Sequence, residues 1–151
     1  MKTGDFELFS NAVSNLIKSM QLLKSRKMAQ YGLKGTTCLC LCQIYRSEWG
    51  MTAVELSECG EIDKAQVSRC MAELTQKGFA YRENEDGKCY KQRYCLTPAG
   101  RAAAEDIVFA ISRVQEAVRA GITDEEIEVF YGVLDTLCKN FTTVLQSKRY
   151  F

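Results

Sequence analysis

Residues 51–101 constrain the fold more than any other part of the chain, because their pattern predicts two short helices, a hairpin and the start of a further helix. Thr52 and Glu55 have the spacing of a capping box, in which each side chain accepts the other residue's backbone amide. Asp63 is suited to cap the second helix and Gly78 to end it. A helix pair this short buries little by itself, and it suits a helix-turn-helix that offers its second helix to the major groove of DNA.

Apolar residues at helical spacing predict which sides of these two helices are buried. Along the first helix and just after it, the residues expected to face the core are Leu56, Cys59 and Ile62. On the second helix four apolar residues share one face, namely Val67, Cys70, Met71 and Leu74. The opposite side of the second helix is therefore expected to be exposed.

The hairpin that follows predicts a wing. Residues 79–84 and 89–96 suit two strands, and Glu85-Asp86-Gly87-Lys88 between them carries the Asp-Gly turn signal. Alternation along the second strand puts Lys91 and Arg93 on the face opposite its Tyr and Leu residues, so the aromatic face is expected to pack on the helices. The basic face would then point outward, where it can follow a phosphate backbone or enter a minor groove.

Four motifs in this segment resemble the MarR family of bacterial winged-helix transcriptional regulators. In chain order they are Met51-Thr52-Ala53-Val54-Glu55-Leu56-Ser57, Ile62-Asp63-Lys64-Ala65-Gln66-Val67-Ser68-Arg69, Leu74-Thr75-Gln76-Lys77-Gly78-Phe79-Ala80-Tyr81-Arg82 and Leu96-Thr97-Pro98-Ala99-Gly100. The resemblance covers nearly the whole chain. It implies a mostly α (α+β) fold, a winged helix-turn-helix with one β-hairpin wing and long terminal dimerisation helices. It also implies a homodimer that binds a pseudo-palindromic operator in double-stranded DNA.

The wing departs from the family pattern at one point. The family usually has an Asp-x-Arg motif there, where this chain has Asp86-Gly87-Lys88. Three basic residues are therefore rival candidates for the family's minor-groove contact: Lys88, Lys91 and Arg93.

The exposed side of the second helix carries the candidate base-reading residues. The side opposite Val67 and its flanks hold five of them: Lys64, Ala65, Gln66, Ser68 and Arg69. Gln and Arg can read adenine and guanine edges through paired hydrogen bonds. Lys64 lies in the first turn, where backbone amides can also donate hydrogen bonds to a phosphate. A solvated polar face has the same composition, but the capped first helix and the basic wing favour DNA contact.

Net charge gives no support to nucleic-acid binding. The formal charge is +1 over 151 residues, and residues 51–96 hold seven basic side chains against eight acidic ones. The DNA hypothesis therefore rests on where the basic residues lie. The same balance favours an alternative of a different class, a winged-helix protein-interaction module without DNA binding.

Long amphipathic helices are predicted on both sides of the winged helix, at about residues 5–31, 36–49, 97–120 and 123–147. The first and the last of these helices are longer than a winged-helix core needs. A symmetric partner subunit is therefore expected to cover their apolar stripes. The last helix is expected to place Leu134, Leu137 and Phe141 in that interface. The chain is thus divided into an N-terminal dimerisation helix (1–35), the DNA-binding region (36–101) and C-terminal dimerisation helices (102–151), integrated in a single domain.

Eight cysteines occur in a chain without histidine. Helical spacing puts Cys38 and Cys42 on one side of a helix and Cys40 on another, so the three do not converge on one metal ion. The favoured interpretation is that the cysteines are small buried apolar residues in a reducing compartment. The alternative is a regulator of the same fold that senses oxidants or a metal through its thiols.

Catalysis and cofactors have little support. Without histidine there is no Cys-His or Ser-His-Asp arrangement, and no phosphate loop or metalloprotease motif is present. We therefore expect no enzymatic activity, no cofactor and no metal site. The absence of an apolar run of membrane-spanning length and of a signal-peptide pattern leads us to expect a cytoplasmic protein without a membrane partner.

A small-molecule site is implied by the resemblance alone. Family members carry a cavity between the dimer helices and the winged-helix core, often occupied by aromatic or phenolic acids. The residues of this chain that could line such a cavity are Tyr31, Tyr45, Arg46 and Trp49. They are equally suited to be core aromatics and a surface base. On the family pattern, we expect a repressor that a small aromatic ligand releases from DNA.

Overall fold

The computed structural model describes residues 3–60, 62–83 and 92–147, with side chains from residue 5 onward. The elements are α1 (Thr3–Ala29), a single 3-10 turn (Gly35–Thr37), α2 (Cys38–Arg46), α3 (Ala53–Gly60), α4 (Lys64–Gln76), β1 (Ala80–Glu83), β2 (Arg93–Leu96), α5 (Pro98–Val118) and α6 (Asp124–Gln146). The predicted mostly helical fold with one hairpin is confirmed. The second predicted helix is shorter than expected, because its ends are a 3-10 turn and the 47–50 turn.

The caps predicted for the helix-turn-helix are present. The Thr52 amide donates to Glu55 Oε2 over 2.7 Å, and the Glu55 amide donates to Thr52 Oγ1 over 3.2 Å. Asp63 Oδ1 accepts the Gln66 amide at 2.8 Å and so begins α4. Gly78 ends it with a φ of +76°, a left-handed conformation that favours glycine.

The two strands pair antiparallel in the register Ala80–Leu96 through Glu83–Arg93. On β2, Tyr94 and Leu96 are buried, as the alternation predicts. The strand is also tied to the start of α3, because the backbones of Tyr94 and Met51 exchange hydrogen bonds of 2.8 and 3.0 Å. The predicted turn at residues 85–88 lies outside the described residues.

Gly100 explains why α5 begins on a Thr-Pro-Ala-Gly motif. A Cβ atom at this position would lie 1.8 Å from the Phe79 carbonyl oxygen, so only glycine fits. Thr97 reinforces the contact, since its hydroxyl donates to the Gly78 carbonyl at 2.7 Å and accepts the Gly100 amide at 3.0 Å. The start of α5 is thereby fixed against the end of α4.

The chain divides into two compact units, Met1–Ile111 and Ser112–Phe151. The core of the first unit draws on α2, α3, α4 and α5, and its largest buried side chains include Leu41, Ile44, Leu56, Val67, Met71, Leu74 and Ile107. The four α4 residues predicted to be buried are buried.

The prediction for Cys59 was wrong, because this residue is exposed. Its helix is only eight residues long, and Leu56 is the one residue of that helix that is buried. A Cβ atom on Gly60 would lie 2.7 Å from Leu39 Cδ2. The close approach of the Gly60 backbone to Leu39 leaves the Cys59 side chain on the outside.

The second unit contains the end of α5 and all of α6. Thr123 begins α6 with a second capping box: its amide donates to Glu126 Oε2 over 2.8 Å, and the Glu126 amide donates to its hydroxyl over 3.2 Å. None of the α6 side chains is buried within the chain. None of the described helices combines the length and the apolar character needed to span a lipid bilayer.

Candidate nucleic-acid interface

The outer face of α4 presents the residues predicted to meet DNA. Lys64, Ala65, Ser68 and Arg69 are exposed, and Gln66 is half-buried beside them. The opposite face of the same helix is buried against the core, so α4 has one side committed to packing and one side open to a ligand. This division follows from the helical spacing of its apolar residues.

A chain of hydrogen bonds orients the side chain of Arg69. Its Nη2 donates to Gln66 Oε1 over 2.8 Å. Gln66 Nε2 in turn lies 3.4 Å from Cys70 Sγ, which lies 3.4 Å from the carbonyl oxygen of Thr36. The hydrogen bond favours one orientation of the exposed guanidinium, which would reduce the conformational entropy lost on binding. The side-chain amide of Gln66 is thus shared between Arg69 and Cys70.

An acidic side chain on the flank of α4 fixes the helix to the preceding structure. Glu73 Oε1 accepts the Lys34 amide at 3.2 Å, and Glu73 Oε2 accepts the hydroxyl of Thr37 at 2.5 Å. Thr37 is fully buried. Sequence reasoning missed this anchor, because a glutamate beside the apolar stripe has the pattern of an ordinary solvated residue.

On the wing, Arg93 binds the protein itself. Its Nε donates to the Trp49 carbonyl oxygen over 2.9 Å and its Nη2 to the Gly50 carbonyl oxygen over 3.1 Å, while Nη2 lies 3.3 Å from Glu55 Oε2. The capping bond from the Thr52 amide, together with this guanidinium, lowers the pKa of Glu55. These partners give Arg93 a role in positioning the wing.

Arg82 is a wing cation that the sequence analysis did not single out. It is exposed on β1, with its Cζ 5.1 Å from the centre of the Tyr94 ring and its Nη1 3.4 Å from Gln92 Oε1. The sequence offered one indication of its importance, because Arg82 ends the third of the four motifs that resemble the MarR family. The other two predicted wing contacts, Lys88 and Lys91, lie outside the described residues.

The four residues proposed for a ligand site are not brought together. The Tyr31 hydroxyl donates to Asp106 Oδ2, and Lys27 Nζ lies 2.6 Å from the same oxygen. The hydrogen bond to Asp106 and partial burial raise the pKa of Tyr31 to about 12. Tyr45 instead lies under Arg101, whose Cζ is 5.9 Å from the ring centre, and Arg46 is exposed.

Trp49 lines a separate open cleft of about 420 Å³ between the 47–50 turn and the wing. The indole is 74% exposed. The cleft is also bordered by Tyr81, Arg93 and Arg101. It therefore combines aromatic surface with two guanidinium groups and the carboxylates of Glu48 and Glu83. Neither Tyr31 nor Tyr45 contributes to it.

The geometry defines a winged helix-turn-helix protein with a preorganised arginine on its second helix. No protein-family model matches the chain. Solved structures do share its fold. A MarR transcriptional regulator from Methanosarcina mazei Go1 is 22% identical, with a TM-score of 0.73, over 91% of this chain and 99% of that chain.

Two further solved structures come from Staphylococcus aureus. The MepR–DNA complex is 16% identical with a TM-score of 0.79, over 87% of this chain and 97% of that chain. A MarR in complex with salicylate and kanamycin is 17% identical with a TM-score of 0.76, over 93% of this chain and 95% of that chain. At these identities the likeness establishes the fold: this chain has the winged-helix fold of the MarR regulators.

Proposed function

We propose that this protein is a transcriptional regulator of the MarR type that binds a pseudo-palindromic operator as a homodimer. The observation that carries the proposal is the exposed outer face of α4, on which Arg69 donates a hydrogen bond to Gln66. A preorganised arginine on a helix that fits the major groove can read guanine through paired hydrogen bonds. The solved MepR–DNA complex, which has the same fold, supports DNA as the partner.

Exposed apolar side chains support the dimer. In α1 they are Phe6, Leu8, Leu16, Ile17, Met20, Leu22 and Leu23. In α6 they are Val129, Phe130, Tyr131, Val133, Phe141 and Leu145. This many large apolar side chains on one helix are seldom all left to water in a monomer, so each helix is a candidate subunit interface. A two-fold symmetric pair would place two α4 helices about one DNA turn apart, on the order of 34 Å.

Release by a small ligand is the finer part of the proposal. The salicylate and kanamycin complex of a Staphylococcus aureus MarR supports an organic effector for this fold. In this chain the cleft beside Trp49 adjoins Arg93, which holds the wing. A ligand in that cleft would compete for the contacts that set the wing position and would thereby release the protein from DNA. On the family pattern, we propose that the regulator is a repressor that such a ligand relieves.

The experiment that tests DNA binding is a salt titration. Fluorescence anisotropy would compare DNA from the region flanking the protein's own gene with a random duplex of equal length, at several salt concentrations. We expect tighter binding to the flanking DNA and a steep loss of affinity for both duplexes with salt, because phosphate contacts release counterions. Affinity that does not change with salt would favour the protein-interaction module.

The thiol-sensing alternative is favoured by one observation, the close approach of Cys38 and Cys42 in the core. Stoichiometric peroxide separates it from the ligand-released regulator. If the thiols serve only as apolar packing, peroxide leaves DNA affinity unchanged, since most buried thiols react slowly. A large loss of affinity that dithiothreitol reverses would place the thiol sensor first.

A further inference from the structure

Two thiols face each other inside α2. Cys38 Sγ and Cys42 Sγ are 4.0 Å apart, and both side chains are buried. They lie one helical turn apart, so the helix itself sets their separation. Cys40, on the other side of the helix, is equally buried and does not join the pair.

The surroundings of the two sulfurs are apolar. Both side chains belong to the buried core cluster, together with Leu41 and Ile44 of the same helix. An apolar core supplies none of the oxygen ligands that hard cations such as Ca²⁺ and Mg²⁺ prefer.

We propose that Cys38 and Cys42 form a two-coordinate binding site for a soft monovalent cation, of which Cu(I) is the type. Metal–sulfur bonds in proteins are about 2.3 Å long, so two thiolates on opposite sides of one ion lie up to about 4.6 Å apart. The observed separation of 4.0 Å is within that reach. Thiolate sulfur is the ligand that Cu(I) prefers.

The number of donors excludes the common divalent ions. Within the described ranges, no group of three or more His, Cys, Asp or Glu side chains is placed to hold a metal. Zinc requires four ligands in structural sites and three in catalytic ones. A pair of thiols without a third protein donor therefore selects an ion that is satisfied by two.

The charge and proton balance of the step is simple. Binding forms two bonds between sulfur and the ion, releases the thiol protons to solvent and changes no oxidation state. Two thiolates and one monovalent cation leave a net charge of −1 at the site. The site does not depend on the proposed DNA binding, and it can be tested without DNA.

The experiment is a competition titration with the full chain, reduced and under anaerobic conditions. Cu(I) would be supplied on a chromophoric chelator, whose absorbance reports the ion withdrawn by the protein. We expect the wild type to withdraw one equivalent per chain. Removal of an outer-shell partner lowers metal affinity by up to about 100-fold. The variants Cys38→Ala and Cys42→Ala each lose a direct ligand, so each should weaken binding by more than that.

Two control variants make the comparison specific. Cys40→Ala removes a buried thiol from the same helix, and Cys59→Ala removes an exposed one. Both should bind Cu(I) as the wild type does. If Cys38→Ala and Cys42→Ala bound Cu(I) with the affinity of the wild type, the proposal would be overturned. A decrease in affinity confined to Cys59→Ala would overturn it as well.

A second measurement uses only the wild type, so it survives a variant that fails to fold. Cu(I) should protect Cys38 and Cys42, and not Cys59 or Cys138, from a thiol-alkylating reagent, as read by peptide mass spectrometry. X-ray absorption should report two sulfur neighbours at about 2.3 Å or slightly less. Protection of the exposed cysteines instead, or a disulfide between Cys38 and Cys42 in the loaded sample, would contradict the proposal.

Discussion

Arg93 on the second strand of the wing and Glu55 on α3 form an ion pair whose nitrogen and oxygen atoms lie 3.3 Å apart. Glu55 is at the same time the acceptor that caps α3, through the Thr52 amide. The first helix of the helix-turn-helix and the wing therefore share one carboxylate. The guanidinium also binds the carbonyl oxygens of Trp49 and Gly50, so it holds three segments together at the base of the wing.

Replacing Arg93 should reduce stability more than it changes sequence preference. Arg93→Ala removes two hydrogen bonds to backbone carbonyls and a partly exposed ion pair, so we expect the free energy of unfolding to fall by about 1 kcal/mol. Urea denaturation measures it. Arg82→Ala is the matched control, an exposed arginine on the neighbouring strand, with an expected change within about 0.5 kcal/mol. Unchanged stability of Arg93→Ala with a loss of DNA affinity would make Arg93 a DNA contact instead.

The buried hydroxyl of Thr37 should prove necessary to fix α4. Thr37→Val keeps the shape of the side chain and removes the donor to Glu73, so a decrease of about 1–2 kcal/mol in unfolding free energy is expected. Thr36→Val is the control, because Thr36 is exposed and its hydroxyl can be solvated. Thermal or urea unfolding compares the two. Equal stability of both variants would show that the hydrogen bond between Thr37 and Glu73 contributes nothing.

Stability at high pH should report the hydrogen bond between Tyr31 and Asp106. The pKa of Tyr31 is raised from 10.0 to about 12 in the folded protein, chiefly by this bond. The unfolded chain therefore loses this proton first, and the contribution of the phenol, fully present below pH 10, disappears as the pH rises towards 12. Tyr31→Phe should remove that part of the decline in the urea midpoint. Tyr131→Phe, which changes an exposed tyrosine, should keep the same decline as the wild type. Identical pH profiles of stability for the two variants would contradict the assignment of this decline to Tyr31.

The helix-turn-helix was predictable because its signals are local. The capping box at Thr52, the cap at Asp63 and the apolar stripe of α4 each depend on residues within one or two helical turns, and all are present. The interactions that were missed join residues far apart in the chain. Glu73 meets Thr37 across 36 positions, and Arg93 meets Glu55 across 38. No periodicity encodes such pairs, so Arg93 was predicted to face DNA from the pleat of its strand alone.

The proposed dimer gives the next prediction. Phe141 is 43% exposed on α6, while Leu134 and Leu137 are only partly covered. If these side chains form a subunit interface, Phe141→Asp buries a charge there and should give monomer or aggregate in sedimentation experiments, as should deletion of residues 141–151. Asn140→Asp is the control variant: it adds the same charge one residue away, and it should remain a dimer. A well-folded dimer that persists in the deletion variant would exclude α6 as the interface.

The division of labour between α4 and the wing is the most diagnostic prediction for DNA binding. Arg69 is exposed and oriented by Gln66, so Arg69→Ala should cost about 1–3 kcal/mol per subunit on operator DNA and narrow the difference from random DNA. Gln66→Ala should weaken operator binding in the same direction, because it leaves Arg69 unsupported. Lys91→Ala should instead weaken binding to both duplexes about equally and lower the salt slope by about one for each phosphate that is no longer neutralised.

Two subunits double each effect per dimer, which brings the differences well within the range of fluorescence anisotropy. Lys139→Ala, which removes an exposed cation from α6, is the control and should change neither affinity nor salt slope. If Arg69→Ala keeps its preference for operator DNA, α4 is not the reading helix. The winged fold would then serve another macromolecule, and the interaction module would become the better account of the protein.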